Sequence, residues 1–507
     1  MNLSFPDALV FFLLVLSNVI FGASFYFRNR TSAEFTAGNQ KIPAWVAGMS
    51  IFATFVSSIS FLALPGKAYT SDWNAFVFSL SIPIASILAV KFFVPLYRNI
   101  GNISAYYYLE LRFGPWARTY ASICYILTQL MRTGAILLLL ALPINALFGW
   151  NIKTIIVITG TAVMFYSMLG GIRAVMWTDT IQAIILILGA VTCAAILTFS
   201  MPEGPGQLFR IAESHNKFSF GSFGASLRDS TFWVVIIYGL FINLQNYGID
   251  QNYIQRYMTT RSLREAKSSA LFGSLLYIPV SVIFFYIGTA LFSYYTAQPD
   301  LLPDNLRIPG EGDKIFPFFI ATGLPTGMTG LLIAAIFSAG MSTVSTSLNS
   351  TATIILTDYY KKYVNGEPDE KTSMMVLYLS SFAVGILGIF IALALTGVES
   401  VLDAWWSLAS IFSGGMLGLF LLAFISKKTG KKEAVAGVIA GVLLIIWLSL
   451  SPLYFTEGKL LAFRSPFHSN LTIVFGTMTI FLIGFIINLF RNDRHHHKKV
   501  SGKEEWQ

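Results

Sequence analysis

The chain has 507 residues, of which 55% are hydrophobic and only 12% are charged. Soluble domains carry about 25% charged residues, so this composition excludes a soluble globular protein and predicts one that crosses a membrane many times. The formal charge of +9 would suit an acidic partner, but its distribution along the chain has a different explanation.

Thirteen apolar runs are long enough to cross a bilayer, which takes about 20 residues of helix. Their predicted bounds are 7–27, 44–68, 75–97, 118–143, 152–170, 175–199, 231–252, 269–293, 326–357, 373–396, 404–425, 433–452 and 470–490. We predict an additional N-terminal helix over 1–30, a ten-helix core over 42–425, two C-terminal helices over 426–491 and a basic cytoplasmic tail over 492–507.

Basic residues are concentrated in alternate connections. With the N-terminus outside, 24 of the 34 Lys and Arg residues lie on the inner side and 8 on the outer side, as the positive-inside rule requires. The charge therefore reflects topology, and we predict an outside N-terminus, an inside C-terminus and no nucleic-acid partner. We expect contact with membrane lipid and no obligate protein partner. The connections 200–230 and 294–325 are predicted to form short helices or lids.

An aspartate stands at the start of an apolar helix, in the segment Trp177-Thr178-Asp179-Thr180-Ile181-Gln182. A carboxylate inside a membrane is costly unless a cation or a polar group meets it. Asp179 is therefore a candidate site for a metal cation or a proton. The alternative is an aspartate near the cytoplasmic headgroups that caps the helix or binds Arg173.

Two of the apolar runs are interrupted. Within the run over 44–68, the segment 51–66 holds three serines, a threonine and Pro65-Gly66, which we expect to interrupt the helix. The run over 231–252 carries several amides, with Gly248 as the expected point of unwinding. Interrupted helices five apart are typical of an inverted five-plus-five repeat with a midplane binding site. Unwound carbonyls would suit a hard cation, whereas the alternative is that small residues only permit close packing.

Hydroxyl side chains follow one face of the run over 326–357. Ser338, Ser342, Ser345 and Thr346 have the spacing i, i+4, i+7, i+8, and Thr343 flanks them. Uncharged oxygen donors suit Na⁺ as they suit other hard cations. The alternative is that these hydroxyls bond to their own helix carbonyls.

Arg132 is predicted to be the only basic residue deep in an apolar helix. A buried arginine needs an anion, and a carboxylate matches its fork of donors. The partner is either Asp179, which would make a structural pair, or a substrate carboxylate, which would leave Asp179 for a cation. The charges favour the second interpretation.

The segment from Gly170 to Gln182 and the hydroxyl ladder resemble the sodium:solute symporter family, which includes sodium-coupled glucose, proline, pantothenate and iodide transporters. The segment 53–73 is similar, more narrowly, to bacterial sialic acid transporters. The resemblance implies an all-α integral membrane protein with the LeuT-type inverted repeat and about 13 transmembrane helices. It also implies a bacterial plasma-membrane symporter, not an enzyme, that imports sialic acid (N-acetylneuraminate) by alternating access.

The same resemblance implies two Na⁺ sites and a substrate pocket. The first Na⁺ site, shared across the family, would comprise Ala53, Val56, Ala339, Ser342 and Thr343. The second, found in some members, would comprise Asp179, Ser342, Ser345 and Thr346. The substrate-binding positions would be Arg132 for the carboxylate, Ser57 and Ser60 for hydroxyls, and Phe55, Ala75, Ser79, Phe241, Asn243 and Gln245. This chain departs from the subgroup at three of them, with Phe55 for a hydroxyl residue, Ala75 for an aromatic and Ser79 for a glutamine.

Other functions remain as alternatives at this stage. A sodium symporter for another acidic sugar, a monocarboxylate, proline or a neutral sugar would share these features. A sodium-permeable channel usually builds its filter from a ring of subunits or repeated loops, and a sensor usually carries a soluble signalling domain. An enzyme would need a catalytic cluster, but the five histidines, at 215, 468 and 495–497, lie outside the apolar runs.

Overall fold

The computed structural model describes residues 4–24, 31–56, 58–308, 310–398, 401–455 and 458–501, and all regular structure in these residues is helical. In chain order the α-helices are α1 Phe5–Ser24, α2 Ser32–Ala37, α3 Ala44–Phe55, α4 Ser58–Thr70, α5 Val77–Leu80, α6 Ile82–Leu88, α7 Val94–Ile100, α8 Tyr107–Phe113, α9 Pro115–Phe148, α10 Ile152–Phe199, α11 Pro205–Ser214, α12 Phe232–Ile249, α13 Gln251–Met258, α14 Leu263–Ala297, α15 Gly312–Thr322, α16 Met328–Ile354, α17 Glu370–Ala394, α18 Val401–Ile425, α19 Lys431–Tyr454 and α20 Leu471–Ser501. Short 3₁₀ segments lie at Gly38–Gln40, Asn74–Phe76, Pro299–Leu301, Asp304–Leu306 and Gly458–Phe463, and π segments at Ala89–Phe93 and Ile355–Val364.

Ten helices of the described residues are long and apolar enough to cross a membrane, or eleven if the bent pair α3–α4 forms one span. Ile152–Phe165 and Gly414–Ile425 are shorter apolar helices. The chain is therefore a multi-pass membrane protein. The count of thirteen spans and the orientation of the termini stay predictions.

Contacts divide the chain into two compact units. The first comprises residues 1–104, 129–225 and 230–405, and the second comprises 105–128, 226–229 and 406–507. Within the second unit, the Thr477 hydroxyl on α20 donates to the Gly414 carbonyl on α18 at 3.0 Å. Every residue predicted to bind substrate or Na⁺ belongs to the first unit.

The first interrupted helix breaks at a different place from the one predicted. α3 ends at Phe55, Val56 is extended (φ −83°, ψ 97°), and Pro65 lies inside α4. Carbonyls at a helix end lose their intrahelical partners. Here Arg132 donates to the Thr54 carbonyl at 2.6 Å and the Ser60 hydroxyl to the Phe55 carbonyl at 3.4 Å. The expected break at Pro65-Gly66 is wrong because polar partners for the freed carbonyls lie ten residues earlier.

The second interrupted helix also breaks slightly away from the predicted glycine. α12 continues through Gly248, and the break falls at Asp250, whose side chain caps α13 by accepting the Asn252 N–H at 2.8 Å. The freed carbonyls have tyrosine partners. The Tyr97 hydroxyl donates to Gly248 and the Tyr257 hydroxyl to Tyr247, both at 2.8 Å. These carbonyls are therefore already bonded within the protein.

The two apolar runs predicted at 152–170 and 175–199 are joined in α10. The junction is Gly171, with φ 56° and ψ −175°, a backbone conformation open to glycine and strained for other residues. The connections after α10 and α14 contain the short helices α11 and α15, as the sequence predicted. Any role as lids stays a prediction.

We expect the substitution Gly288→Ala to lower stability by about 1–3 kcal/mol, the usual cost of overpacking. A Cβ at this position of α14 would lie 2.2 Å from the Pro65 carbonyl oxygen of α4. The midpoint of thermal unfolding of the purified protein measures the effect. Gly206→Ala is the matched control, because a Cβ there has nothing within 4 Å. Equal midpoints for the two variants would show that α4 moves aside without cost.

Lys217, in the connection between α11 and α12, is buried against the end of α4. Its Nζ donates to the carbonyls of Tyr69 at 2.6 Å and Ser71 at 2.8 Å and lies 3.9 Å from the Phe292 ring centre. Burial lowers the pKa of Lys217 to about 8, although the nearby Asp72 carboxylate acts in the opposite direction.

The lowered pKa gives a pH dependence with a definite sign. The folded state binds the Lys217 proton more weakly than the unfolded chain does, so protonation opposes folding. Stability relative to Lys217→Met should therefore be constant below pH 8 and rise between pH 8 and 10.5, by on the order of 3 kcal/mol. Thermal unfolding of both proteins across this range measures it, and a constant difference would contradict the assignment.

Candidate cation and substrate sites

Asp179 lies in the second half of α10 and is only 1% exposed. Its Oδ1 is in contact with the Ser342 hydroxyl of α16. Its Oδ2 accepts from the Ser50 hydroxyl of α3 at 2.5 Å and from Arg256 Nη2 of α13 at 2.8 Å. The ion-pair partner of Asp179 is therefore Arg256, neither Arg132 nor Arg173.

Arg256 is the main residue of this site that the sequence analysis missed. The sequence pattern predicts Arg256 in an inner connection, but its side chain is fully buried, so the expectation that Arg132 is the only deep basic residue is wrong. It also donates to the Ser50 hydroxyl at 2.7 Å and to the Thr346 hydroxyl at 2.9 Å. The polar sequence of α13 gives no sign of burial, yet all eight of its residues are buried.

The four residues predicted for the second Na⁺ site lie on α10 and on one stretch of α16. Asp179 touches Ser342 and is linked to Thr346 through the Arg256 guanidinium. The hydroxyl of Ser345 is buried and has no hydrogen-bond partner among the described residues. The cluster thus holds one carboxylate, one guanidinium and several hydroxyl oxygens, with no net charge.

A small cavity of about 10 Å³ lies between α3, α10 and α16, close to the space that one water molecule needs. Its walls are Phe52, Ala53, Val56, Gln182, Ala183, Leu186, Ala339 and Ser342. Four of these eight residues were predicted for the first Na⁺ site. The fifth predicted residue, Thr343, donates its hydroxyl to the Ala339 carbonyl at 3.0 Å, which leaves its oxygen lone pairs available.

The donors around this cavity have the chemistry of a hard monovalent cation site. Within the described ranges, no three His, Cys, Asp or Glu side chains come together. The oxygen-bearing groups of the lining residues are instead backbone carbonyls, the Ser342 hydroxyl and the Gln182 amide. Carbonyl and hydroxyl oxygens are the ligands that hard cations prefer.

Arg132 projects from α9 to the break in the first interrupted helix. It is partly buried, and its Nη2 donates to the Thr54 carbonyl at 2.6 Å. No carboxylate of the described residues lies within 4.0 Å of it. A guanidinium has five N–H donors, so most of this fork is available to an anion at the end of α3.

Aromatic rings surround the same break. The Phe55 ring is stacked on Tyr247 (5.6 Å between centres, 13° between planes) and meets Tyr277 edge-on at 4.4 Å. Phe78 and Tyr253 lie 6.3 and 6.5 Å from it. Phe55, one of the three departures from the sialic acid subgroup, is therefore held by a cluster of four rings.

Most of the other predicted substrate positions lie on α4, α5 and α12. Ser79 is buried with its hydroxyl 2.9 Å from that of Ser281. The Asn243 side-chain amide donates to the Ser81 hydroxyl at 2.9 Å. The side-chain oxygens of Asn243 and Gln245 have no hydrogen-bond partner among the described residues. Phe241 is half-buried on α12, Ala75 lies in the 3₁₀ segment Asn74–Phe76, and Ser57 falls outside the described residues.

Comparisons of the sequence and of the structure with known proteins point to the same group of proteins. The sequence profile of the sodium:solute symporter family matches residues 35–441. The chain is 34% identical to the sodium/sialic acid symporter SiaT of Proteus mirabilis (88% of this chain and 90% of that protein) and 32% identical to the sodium/sialic acid symporter NanT of Aliivibrio fischeri (93% and 91%). It also matches the substrate-bound, outward-open structure of a Na⁺-coupled sialic acid symporter, with a TM-score of 0.86, 32% identity and coverage of 96% and 98%.

Proposed function

Because the chain belongs to the sodium:solute symporter family, we propose that it imports sialic acid by alternating access, coupled to two Na⁺ ions. The observation that carries the substrate assignment is Arg132, a cation beside the helix break that pairs with no carboxylate of the described residues. Sialic acid carries one carboxylate, and two relatives at 34% and 32% identity are sodium/sialic acid symporters.

The proposed Na⁺ sites are the two sets that the family resemblance implies. Ala53, Val56, Ala339, Ser342 and Thr343 would bind the first ion, and Asp179, Ser342, Ser345 and Thr346 the second. Four residues of the first set line one cavity, which supports this assignment. Na⁺ bound between α3 and α16 would hold the break in α3–α4 in the form that presents Arg132 to the substrate. Release of Na⁺ on the low-sodium side would then loosen the same break.

The proposed substrate pocket lies on the other side of this break. Arg132 would bind the carboxylate, and Phe55, Ser57, Ser60, Ala75, Ser79, Phe241, Asn243 and Gln245 would line the pocket. The side-chain oxygens of Asn243 and Gln245, which have no hydrogen-bond partner among the described residues, are acceptors suited to sugar hydroxyl or amide groups. The ring of Phe55 offers an apolar surface where the subgroup has a hydroxyl.

The proposed topology retains the sequence predictions. Thirteen helices would cross a bacterial plasma membrane, with the N-terminus outside and the C-terminus inside. Residues 1–30 would form an additional helix, 42–425 the inverted-repeat core, 426–491 two further helices and 492–507 a basic cytoplasmic tail. Eleven long spans and two shorter apolar helices in the described residues support this count.

The test is uptake of labelled N-acetylneuraminate by proteoliposomes that contain the purified protein. We expect uptake only with an inward Na⁺ gradient. Two Na⁺ with one monoanion carry one net positive charge, so an inside-negative potential should add about 2.3 kcal/mol per 100 mV. Potential-independent uptake would indicate one Na⁺ per substrate. Absence of sialic acid uptake, with Na⁺ still raising the unfolding temperature, would reject the substrate and retain a sodium symporter for another solute.

A further inference from the structure

Two polar side chains attach the N-terminal helix α1 to the helices that form the cation cavity. Near its start, Asp7 accepts the backbone N–H groups of Gly327 at 2.7 Å and Gly330 at 2.9 Å, at the beginning of α16. Near its end, Asn18 donates to the Ser338 hydroxyl of α16 at 3.3 Å and accepts from Gln182 of α10 at 3.4 Å. The other polar side chains of α1, Ser17 and Ser24, donate to carbonyls of their own helix, so among the described residues Asp7 and Asn18 make its polar side-chain links to the core.

The hydrogen bonds determine which way the Gln182 amide faces. The Leu14 carbonyl can only accept, so the amide nitrogen of Asn18, 3.0 Å away, must face it. The carbonyl oxygen of Asn18 is then left for Gln182, and it can only accept. Gln182 must therefore present its N–H to Asn18, and its carbonyl oxygen forms the other end of the amide.

The side-chain oxygen of Gln182 is buried without a hydrogen-bond partner among the described residues. Gln182 is only 3% exposed and lines the cavity together with Ala53, Val56 and Ser342. A buried acceptor without a partner is costly. The same cavity is where a cation would need oxygen ligands.

We propose that the Gln182 side-chain oxygen is a further ligand of the Na⁺ ion in this cavity, and that Asn18 is a positioning residue that holds the amide with its oxygen toward the ion. The N-terminal helix thereby sets the Na⁺ affinity of the transport core. This inference rests on the proposed function, because it assumes that the cavity binds the coupling ion.

The test is the Na⁺ dependence of thermal unfolding of the full-length protein, together with the half-saturating Na⁺ concentration for uptake. Gln182→Met keeps the length of the side chain and removes its oxygen. We expect it to raise the half-saturating Na⁺ concentration on the order of tenfold, as loss of ligand support at metal sites does.

Asn18→Leu tests the positioning role. It should raise the half-saturating Na⁺ concentration severalfold in the wild-type background and have no further effect in the Gln182→Met background, because coupled residues are not additive. Ser17→Ala and Thr192→Ala are matched controls. Their hydroxyls are exposed and bond only to the carbonyls of Leu14 and Leu188 in their own helices.

Wild-type Na⁺ affinity in Gln182→Met would overturn the proposal and would mean that a water molecule or a local rearrangement satisfies the Gln182 oxygen. If Gln182→Met does not fold, wild-type Na⁺ affinity in Asn18→Leu would overturn it equally. Failure of the wild-type protein to respond to Na⁺ in either assay would instead reject the proposed function, so the two failures are distinguishable.

Discussion

The substitution Asp179→Asn is expected to destabilise the protein by about 3–5 kcal/mol, because it leaves the buried Arg256 guanidinium without its counter-ion. The 2.8 Å ion pair between them has side chains that are 1% and 0% exposed. The same substitution should remove the second Na⁺ ion, because the site then lacks its only carboxylate. The Hill coefficient for Na⁺ in uptake, which cannot exceed the number of sites, should fall to one.

The double variant Asp179→Asn/Arg256→Met separates these two effects. Removal of both charges avoids an unpaired buried ion, which is the main cost of breaking a buried ion pair. We therefore expect the double variant to recover most of the unfolding free energy while the Hill coefficient stays at one. A stable variant with two-sodium kinetics would show that Asp179 serves only as the partner of Arg256.

The ion pair also suggests how Na⁺ affinity at this site is limited. Asp179 and Thr346 already interact with Arg256, so an entering Na⁺ must share or replace contacts made by a guanidinium. In the variant Arg256→Met the competing cation is absent, and Na⁺ would become the counter-ion of Asp179. Its stability should therefore depend strongly on Na⁺ concentration, since an ion that binds only the folded state stabilises it.

The sequence was sufficient to predict the helices but not the positions of their breaks. Apolar length is a local property, so each of the thirteen runs overlaps helices of the described residues, and the number of membrane spans stays a prediction. A break depends on which partners satisfy the freed carbonyls. Arg132 at Thr54 and Tyr97 at Gly248 reach these carbonyls from distant parts of the chain, and neither Pro65 nor Gly248 carries that information.

The candidate sites were likewise predictable only where they depend on local sequence patterns. The hydroxyl spacing on α16 and the charge of Asp179 were visible as sequence patterns, and the structure brings Ser342 against Asp179. Burial of Arg256 was not visible, because the groups that enclose it come from α3, α10 and α16. The contact of Asn18 with Gln182 joins residues 164 positions apart, and no local pattern predicts such a pair.

Substitution of Arg132 by alanine should abolish recognition of the substrate carboxylate and lower affinity for N-acetylneuraminate about 100-fold or more, as loss of a hydrogen-bonded charge pair does. Arg132→Lys retains the charge but loses the paired donors, so its affinity should be intermediate. Competition against labelled substrate by N-acetylneuraminate and by its neutral methyl ester measures the effect. The wild type should strongly prefer the acid, and Arg132→Ala should bind both equally.

The preference for the acid separates substrate binding from a structural role. Arg132 also supports the broken helix by donating to the Thr54 carbonyl at 2.6 Å, so a structural defect would weaken binding of the acid and of the ester alike. Stabilisation of Arg132→Ala by Na⁺ would indicate that the cation cavity is intact, since its lining residues do not include Arg132. An unchanged preference for the acid in Arg132→Ala would show that another group binds the carboxylate and that Arg132 serves the helix break alone.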